Sequence, residues 1–559
     1  MHDLRLVPTA LCGWGAVILL LVTGSPTWAV ALVVVVVLGC VVCGYWQHAV
    51  FVAGVTGASV FVATVRMRRA EQFQYPELLS ATVAGAPKPL DYGGIYLPVR
   101  VDGLAPKLAV FVQQPESSER LAVGSRILVD ATYRESDRPG LAPVVVRGEI
   151  TEIAPPTGLA KFADNVAQSL HTASQQYLGE NTATLLPGMV LGDTSAQSTA
   201  ERQMYIDAGL THLTAVSGLH VATVVATAVI VARAVRLGPV GHAIASTCVM
   251  GLYFCVVGPA PSVLRASITG LVGVAAIVNS SRMPPLHALC IAVITLLFYD
   301  SDLAVSFGFA LSVAATAGII ALQPLLYRPL ARTRLPDILV RAFAVSIAAD
   351  IVTMPLVALM AGQVSVVSVV ANVVVTPAVA PALVLGLVAT VLAALPVPEA
   401  LETIVFAVVE PAAWWIYRVA SWAEQLPVAT IEITPWAALL VYGWIIAALL
   451  AGFVRTTAGV LIAFVIFAGW QQRLPAAAYI DPDKVLVIDE LEQITDYSGQ
   501  IDPHTIPPHT EAIVVTDPTG RPATRPVVSP NGIPIVFPQR DGPVTIHVDG
   551  TQHAESGAF

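Results

Sequence analysis

The sequence predicts a polytopic α-helical membrane protein of about 10–13 transmembrane helices, interrupted once by a small β-barrel and closed by a short β-rich tail. Three observations carry this expectation. The 559 residues are 55% apolar and only 12% charged, with a mean hydropathy of +0.73, far too hydrophobic for a chain that folds in water alone. The apolar residues gather in long runs, and about 20 of them at about 1.5 Å each span ~30 Å of hydrocarbon. Residues 67–157 lose that character and become polar, with short β-like runs.

Residues 1–66 hold three apolar segments, near 8–24, 28–46 and 48–66. The first is followed at once by another, so it reads as a retained helix rather than a cleaved signal. In 67–157 the runs LLSATV, GIYLPVRV, KLAVFVQ, SRILVDATYR and PVVVRGEITEI are separated by turn-forming clusters such as DYGG and PESSE. Such short strands read as a small OB-like β-barrel. Residues 158–204 are a connector. It opens with an amphipathic helix over 159–178, where Phe162, Val166, Leu170 and Tyr177 recur near helical spacing with Lys161, Asp164 and Gln168 between them. That helix would lie on the membrane surface or pack on the barrel.

Residues 205–470 form a second membrane block, with segments near 213–232, 240–257, 263–280, 286–299, 303–325, 340–361, 366–395 (broken), 403–422, 433–454 and 456–470. Several are short or interrupted by Pro and Gly, as segments that line cavities are. Residues 471–559 are an acidic β-rich tail with the runs KVLVIDE, EAIVVTD, IPIVFP and VTIHVDG, carrying twelve Asp/Glu against five Lys/Arg in a chain of net charge −9.

Arginines orient the chain in the bilayer. With the barrel outside the cell, alternation of spans puts Arg233, Arg236, Arg282, Arg328, Arg332, Arg334, Arg341 and Arg455 on the cytoplasmic side, as the positive-inside rule asks. It puts the tail outside as well. Arg66, Arg68 and Arg69 run against the rule, which long translocated domains obey poorly. The expectation is a multi-pass protein of the cytoplasmic membrane with an extracellular barrel and tail.

Four polar constellations interrupt the membrane block. AGLTHLTAVSGLHVATV brings His212, Ser217, Gly218 and His220 to the head of a helix. Ser217 and His220 share a helix face. They read as a pore lining or as interhelical hydrogen bonds with close glycine packing. A serine-protease pair is a poor third, because a base on the same turn is badly placed to activate its neighbour. GPAPSVLRASITG carries Pro261, Ser262 and Arg265, the arginine about one turn inside an apolar segment. It would meet a phosphate, or else snorkel to the interface or bond backbone carbonyls. In the orientation above both motifs reach the same mouth. SFGFALSVAATAGIIAL places Ser312 among small residues suited to tight helix contacts. The stretch SIAADIVTMPLVALMAGQVSVVSVVANVVVTPAVAP contains the intramembrane carboxylate Asp350, a kinking Pro355, and Asn372 with Pro377, which break the next span.

No cofactor or metal is expected, nor catalysis. All six cysteines fall in apolar segments and serve as small packing residues. None of the four lysines follows a glycine, so there is no phosphate-binding G-K-[ST] loop. His504, His509, His547 and His553 are scattered through the tail without metal-ligand spacing.

In this order, LLPGMVLGDTS, AGLTHLTAVSGLHV, GPAPSVLRA, SFGFALSVAATAGI and TMPLVALMAGQVSVVSVVANVVVTP resemble the ComEC family of competence DNA-uptake channels, over most of residues 160–455. The resemblance implies an inner-membrane channel that takes up single-stranded DNA in natural transformation. It also implies partners, a separate DNA receptor and a cytoplasmic ATPase or helicase. Many members carry a C-terminal metallo-β-lactamase-like domain, for which the residues after about Leu474 have neither length nor ligands. In the barrel, Tyr92, Tyr96 and Phe111 are candidate stacking platforms, or core residues, and Arg100 and Lys107 candidate phosphate contacts. The rival readings are a transporter or channel for another anionic solute, and a non-catalytic membrane scaffold. Oligomeric state is not legible.

Overall fold

A computed structural model describes residues 4–89, 94–112, 121–214, 216–278, 284–426, 430–453 and, beyond these, stretches between 484 and 554. The chain forms two compact units, one over 1–90 and 94–458, the other over 91–93 and 459–559.

The first unit opens with helices α1 (Val7–Thr23), α2 (Pro26–Val42) and α3 (Trp46–Glu71). Trp14 ties α1 to the second membrane block: its indole donates to the Ala304 carbonyl (2.8 Å) and its ring packs 5.2 Å from Phe309. The barrel follows, with β1 (Leu78–Val83), β2 (Lys88–Pro89), β3 (Ile95–Arg100), β4 (Leu108–Val112), β5 (Arg126–Glu135) and β6 (Val144–Ala154). The sheet order is β1-β5-β6-β4-β3, closed by antiparallel pairing of β1 with β3, while β4 and β6 run parallel. The short β2 is an extra strand on the edge of β3. Leaving β2 aside, the five barrel strands close in the order 1-2-3-5-4, a partly Greek-key circuit that fits an OB fold. Period-two alternation sends Leu79, Ala81, Val83, Leu97, Val99, Leu108, Val110, Ile127, Val129 and Val146 into one core. Gly148 is required where β6 crosses β5, because a side chain there would collide with the Asp130 carbonyl.

α4 (Gly158–Tyr177) buries Val166, Leu170 and Ala173 against Leu186, Val190, Ala389, Phe406 and Val409. Its apolar face is thus turned in large part to the helix bundle, while Leu159 and Phe162 at its start stay exposed. α5 (Glu180–Ala183), α6 (Leu185–Leu191) and α7 (Thr199–Asp207) continue it, and every residue of α6 is buried.

The bundle proper comprises α8 (Gly218–Ala234), α9 (Pro239–Val257), α10 (Pro261–Val278), α11 (Pro285–Tyr299), α12 (Phe307–Leu330), α13 (Asp337–Ala361), α14 (Ser368–Ala393), α15 (Glu399–Glu424) and α16 (Pro435–Leu450). Two short strands, β7 (Gln363–Ser365) and β8 (Thr430–Glu432), pair between them. Among the described residues seven helices are long and apolar enough to cross a membrane, with five shorter apolar ones beside them. The protein is a multi-pass membrane protein. The segment near 456–470 lies largely outside the described residues.

One expectation is corrected. α14 is unbroken across Pro377 and Pro381. Pro377 has no N–H for the Val373 carbonyl four residues back; one residue on, the Trp415 indole of α15 donates to the Val374 carbonyl at 2.9 Å and braces α14 against its neighbour at the proline turn, where the helix continues.

In the second unit, β9 (Val485–Ile488), β10 (Ala512–Val515) and β12 (Pro534–Val536) are parallel neighbours, with β11 (Val527–Val528) antiparallel at the edge. They pack Ile488, Ile513, Val515, Ile535 and Phe537 together. β13 (Val544–Ile546) and β14 (Gln552–Ala554) form a hairpin.

Candidate functional site

Ser217 sits at the N-cap of α8 in extended backbone, which frees its hydroxyl to accept from the Leu219 amide (3.3 Å). Its own backbone N–H donates to His220 Nδ1 at 2.9 Å, and its hydroxyl lies 2.9 Å from the same nitrogen. An amide can only donate, so Nδ1 is the acceptor and the ring proton sits on Nε2, which donates to the Met189 carbonyl of α6. Ser-x-x-His thus forms a reciprocal cap, with histidine in the place usually held by glutamate or glutamine. The lone pair that a catalytic base would use is engaged by the serine's own amide. The pair fastens α8 to α6, and Tyr253 of α9 does the same through its hydroxyl bond to the Val190 carbonyl (2.9 Å).

The second motif meets the first. Ser262 donates to the Val216 carbonyl, and Arg265 lies against Gly218 so closely that a Cβ there would stand 2.8 Å from Arg265 Nη2. Arg265 is only 7% exposed. Its Nε donates to Ser312 Oγ of α12 at 2.8 Å. Its two terminal nitrogens have no acceptor, and no carboxylate pairs with it, among the described residues. Pro261 opens α10 and approaches Gly308. His212 is exposed in the one-turn helix Thr211–Leu213.

Asp350 is apart from this cluster. The Ser368 hydroxyl donates to its carboxylate from the start of α14. Asn372 follows one turn on, half-buried, its carbonyl accepting from Thr376. Sequence reasoning missed a second intramembrane carboxylate, Glu410 of α15, to which Thr182 donates (2.8 Å to Oε2). Its signal was available as a lone acid in VFAVVEPAAWW.

On the barrel, register aligns Lys88, Tyr96, Phe111, Arg147 and Thr132 in one row across β2, β3, β4, β6 and β5. Leu97, Val110 and Val112 alternate inward, so the row lies on the outer face. Tyr96 and Phe111 stand 5.6 Å apart, half-buried, and are not core. Burial pushes the Tyr96 phenol up, and Arg138 pulls it the other way. Arg100 is exposed at the end of β3, paired with Thr82. Tyr92 lies outside the described residues.

The barrel is docked on the bundle at the turn between α11 and α12. The Leu141 amide, in the loop between β5 and β6, donates to Asp302 Oδ1 (2.6 Å). Arg66, at the end of α3, donates to the Phe298 carbonyl (2.7 Å) and to Ser301 Oγ (3.1 Å). Burial drives the Asp302 carboxyl up to about 6, with the Leu141 amide, Lys107 and Arg66 opposing and Asp300 reinforcing. Arg66 is held by the Phe298 carbonyl and the Ser301 hydroxyl at this turn. Among the described residues no three His, Cys, Asp or Glu side chains gather to hold a metal ion.

A bundle of apolar helices long enough to cross the membrane many times, with a closed five-stranded barrel fastened to one of its turns, defines the class: a multi-pass membrane protein with a docked barrel. Residues 189–458 match the family described as Competence protein. Over 271 residues the chain is 28% identical to ComE operon protein 3 of Bacillus subtilis (strain 168), an alignment that covers 47% of this chain and 34% of that protein. Residues 189–458 thus carry a Competence protein domain, and both likenesses support a competence protein of the ComEC type. The matched part spans about a third of the length of that curated relative. No solved structure matches.

Proposed function

We propose that this protein takes up DNA by passing a single strand through the cytoplasmic membrane, receiving it on the barrel and conducting it along the helix bundle. The observation that carries the reading is the Lys88–Tyr96–Phe111–Arg147 row on the outer barrel face of a competence-family bundle. Aromatic faces accept any base by stacking, and flanking cations track the phosphates, a combination suited to single strands of any sequence. The row crosses the second and third barrel strands, the face on which OB folds take oligonucleotides. In this reading the barrel and tail face the outside, a separate receptor delivers the DNA, and a cytoplasmic ATPase or helicase draws the strand in.

The test is uptake of labelled DNA into the cytosol of a strain lacking the gene, complemented with wild type or with Tyr96→Ala/Phe111→Ala. Uptake should vanish without the gene, return with wild type, and fall about tenfold or more in the double variant, at roughly 1–3 kcal/mol per lost stacking platform. Unchanged uptake in the deletion strain would end this reading. Solute flux lost in Asp350→Asn with DNA uptake intact would support a transporter of another anion instead.

A further inference from the structure

We propose that Arg265, the first turn of α8 and Ser312 form a phosphodiester-binding site that takes a backbone phosphate of the single strand as it leaves the barrel. This rests on the DNA-uptake reading and names the first station inside the bundle.

The electrostatics of the nook point to an anion. Arg265 sits in the second turn of α10, beside the first residue of α8, with its Nε on the second turn of α12. Helix N-termini are positive ends, about half an elementary charge each. A guanidinium against one such end, that of α8, only 7% exposed and without a carboxylate partner among the described residues, is held where its surroundings disfavour its charge. Desolvation of such a charge costs several kcal/mol unless an opposite charge meets it. The carboxylates that lie within the bundle helices at Asp350 and Glu410 are bonded elsewhere, to Ser368 and Thr182. An anion held by the terminal nitrogens of Arg265 at the mouth of α8 satisfies both the guanidinium and the helix end.

The geometry limits what that anion can be. Gly218 leaves room for the guanidinium only because it lacks a side chain. Ser217 and Ser262 line the approach, while their hydroxyls and His220 are already bonded within the protein. The site therefore offers a planar cation and a helix-end dipole, a fit for a diffuse monoanion. It also lies close in sequence to the docking turn: Asp302, which holds the barrel, precedes Ser312 on the same turn–helix unit. Leu219 and Gly308 beside the nook are exposed, which leaves it a way in. A strand released by the barrel presents such a phosphodiester at every nucleotide.

The experiment uses full-length protein in alkyl maltoside and phosphate-free buffer, with two probes: a fluorescent oligothymidylate followed by anisotropy, and dimethyl phosphate followed by thermal shift. Arg265→Gln should weaken the oligonucleotide about tenfold, as expected for one lost charge-assisted contact, and reduce the log–log salt slope by about 0.7. Arg265→Lys should fall between, Ser312→Ala should weaken binding less, and dimethyl phosphate should stabilise wild type but not Arg265→Gln. Melting temperatures without ligand separate these effects from misfolding. Oligonucleotide binding that Phe111→Ala weakens but Arg265→Gln and Ser312→Ala leave unchanged overturns the site and spares the barrel reading. Wild type that ignores the oligonucleotide, yet is stabilised by dimethyl phosphate through Arg265 and loses co-purifying phosphatidylglycerol in Arg265→Gln, overturns the DNA assignment and gives the site to a lipid phosphate.

Discussion

The Ser217–His220 pair and Arg265 lie in adjacent motifs and touch the same helix turn, yet they differ in one decisive respect. Every polar atom of the pair is answered within the protein: an amide, a hydroxyl and a carbonyl close the hydrogen bonds of the imidazole. Arg265 closes one of its bonds, on Ser312, and leaves two nitrogens unanswered. In lipid both arrangements look alike from the sequence, as polar residues among apolar ones. Unmet bonding capacity, rather than polarity alone, separates the place where a ligand is received from the place where helices are fastened.

Substitutions at the closed pair sharpen that contrast, and His220→Ala should be the most damaging. It strands the Ser217 amide and the Met189 carbonyl and opens a cavity, a loss of roughly 2–4 kcal/mol, read as thermal unfolding of the purified protein. His220→Gln keeps an acceptor for the cap and should recover a good part of the stability together with DNA uptake. A stable His220→Gln protein that takes up no DNA would break the comparison, because it would give the imidazole itself a role in transport. Ser217→Ala should cost about 1 kcal/mol, the usual loss of an N-cap, with uptake retained. Abolished uptake in a fully folded Ser217→Ala protein would revive a chemical role for the hydroxyl.

The docking turn supplies the smallest effect and an intermediate case, a carboxylate with one firm donor. A carboxyl raised from 3.8 to about 6 in the folded protein binds its proton more tightly folded than unfolded. Its contribution to stability is therefore fully present below about pH 4 and is lost as the pH rises through about 6. Asp302→Asn keeps an oxygen for the Leu141 amide and removes the titration. Its melting temperature should exceed that of wild type at pH 8 by a few degrees at most, and the two should converge by pH 4. A constant gap across that range would mean that ionised Asp302 pays no desolvation penalty at the barrel seat.

Much of this architecture was legible in the residues. The runs LLSATV and SRILVDATYR became β1 and β5 nearly residue for residue, because period-two alternation and Gly/Pro punctuation are local signals. Spans such as 240–257 and 286–299 came out as α9 and α11 for a similar reason: bilayer thickness sets a length that composition alone reveals. The unbroken course of α14 was not legible, since its prolines read locally as breakers and the Trp415 indole that braces the helix there comes from α15. Nor was the outward facing of Tyr96 and Phe111, which depends on which face of the barrel closes inward.

By itself, then, the sequence determined which segments are long and apolar enough to cross a membrane, where the chain forms strands, and which polar residues stand out in apolar surroundings. Those are properties of short windows, governed by hydropathy and periodicity. Only the tertiary structure decided that His220 fastens α8 to Met189, that Arg265 reaches Ser312 yet keeps unanswered nitrogens, and that Asp302 seats the barrel. Hydrogen-bonding capacity is met or left open by partners remote in the chain, and no local pattern records which partner arrives.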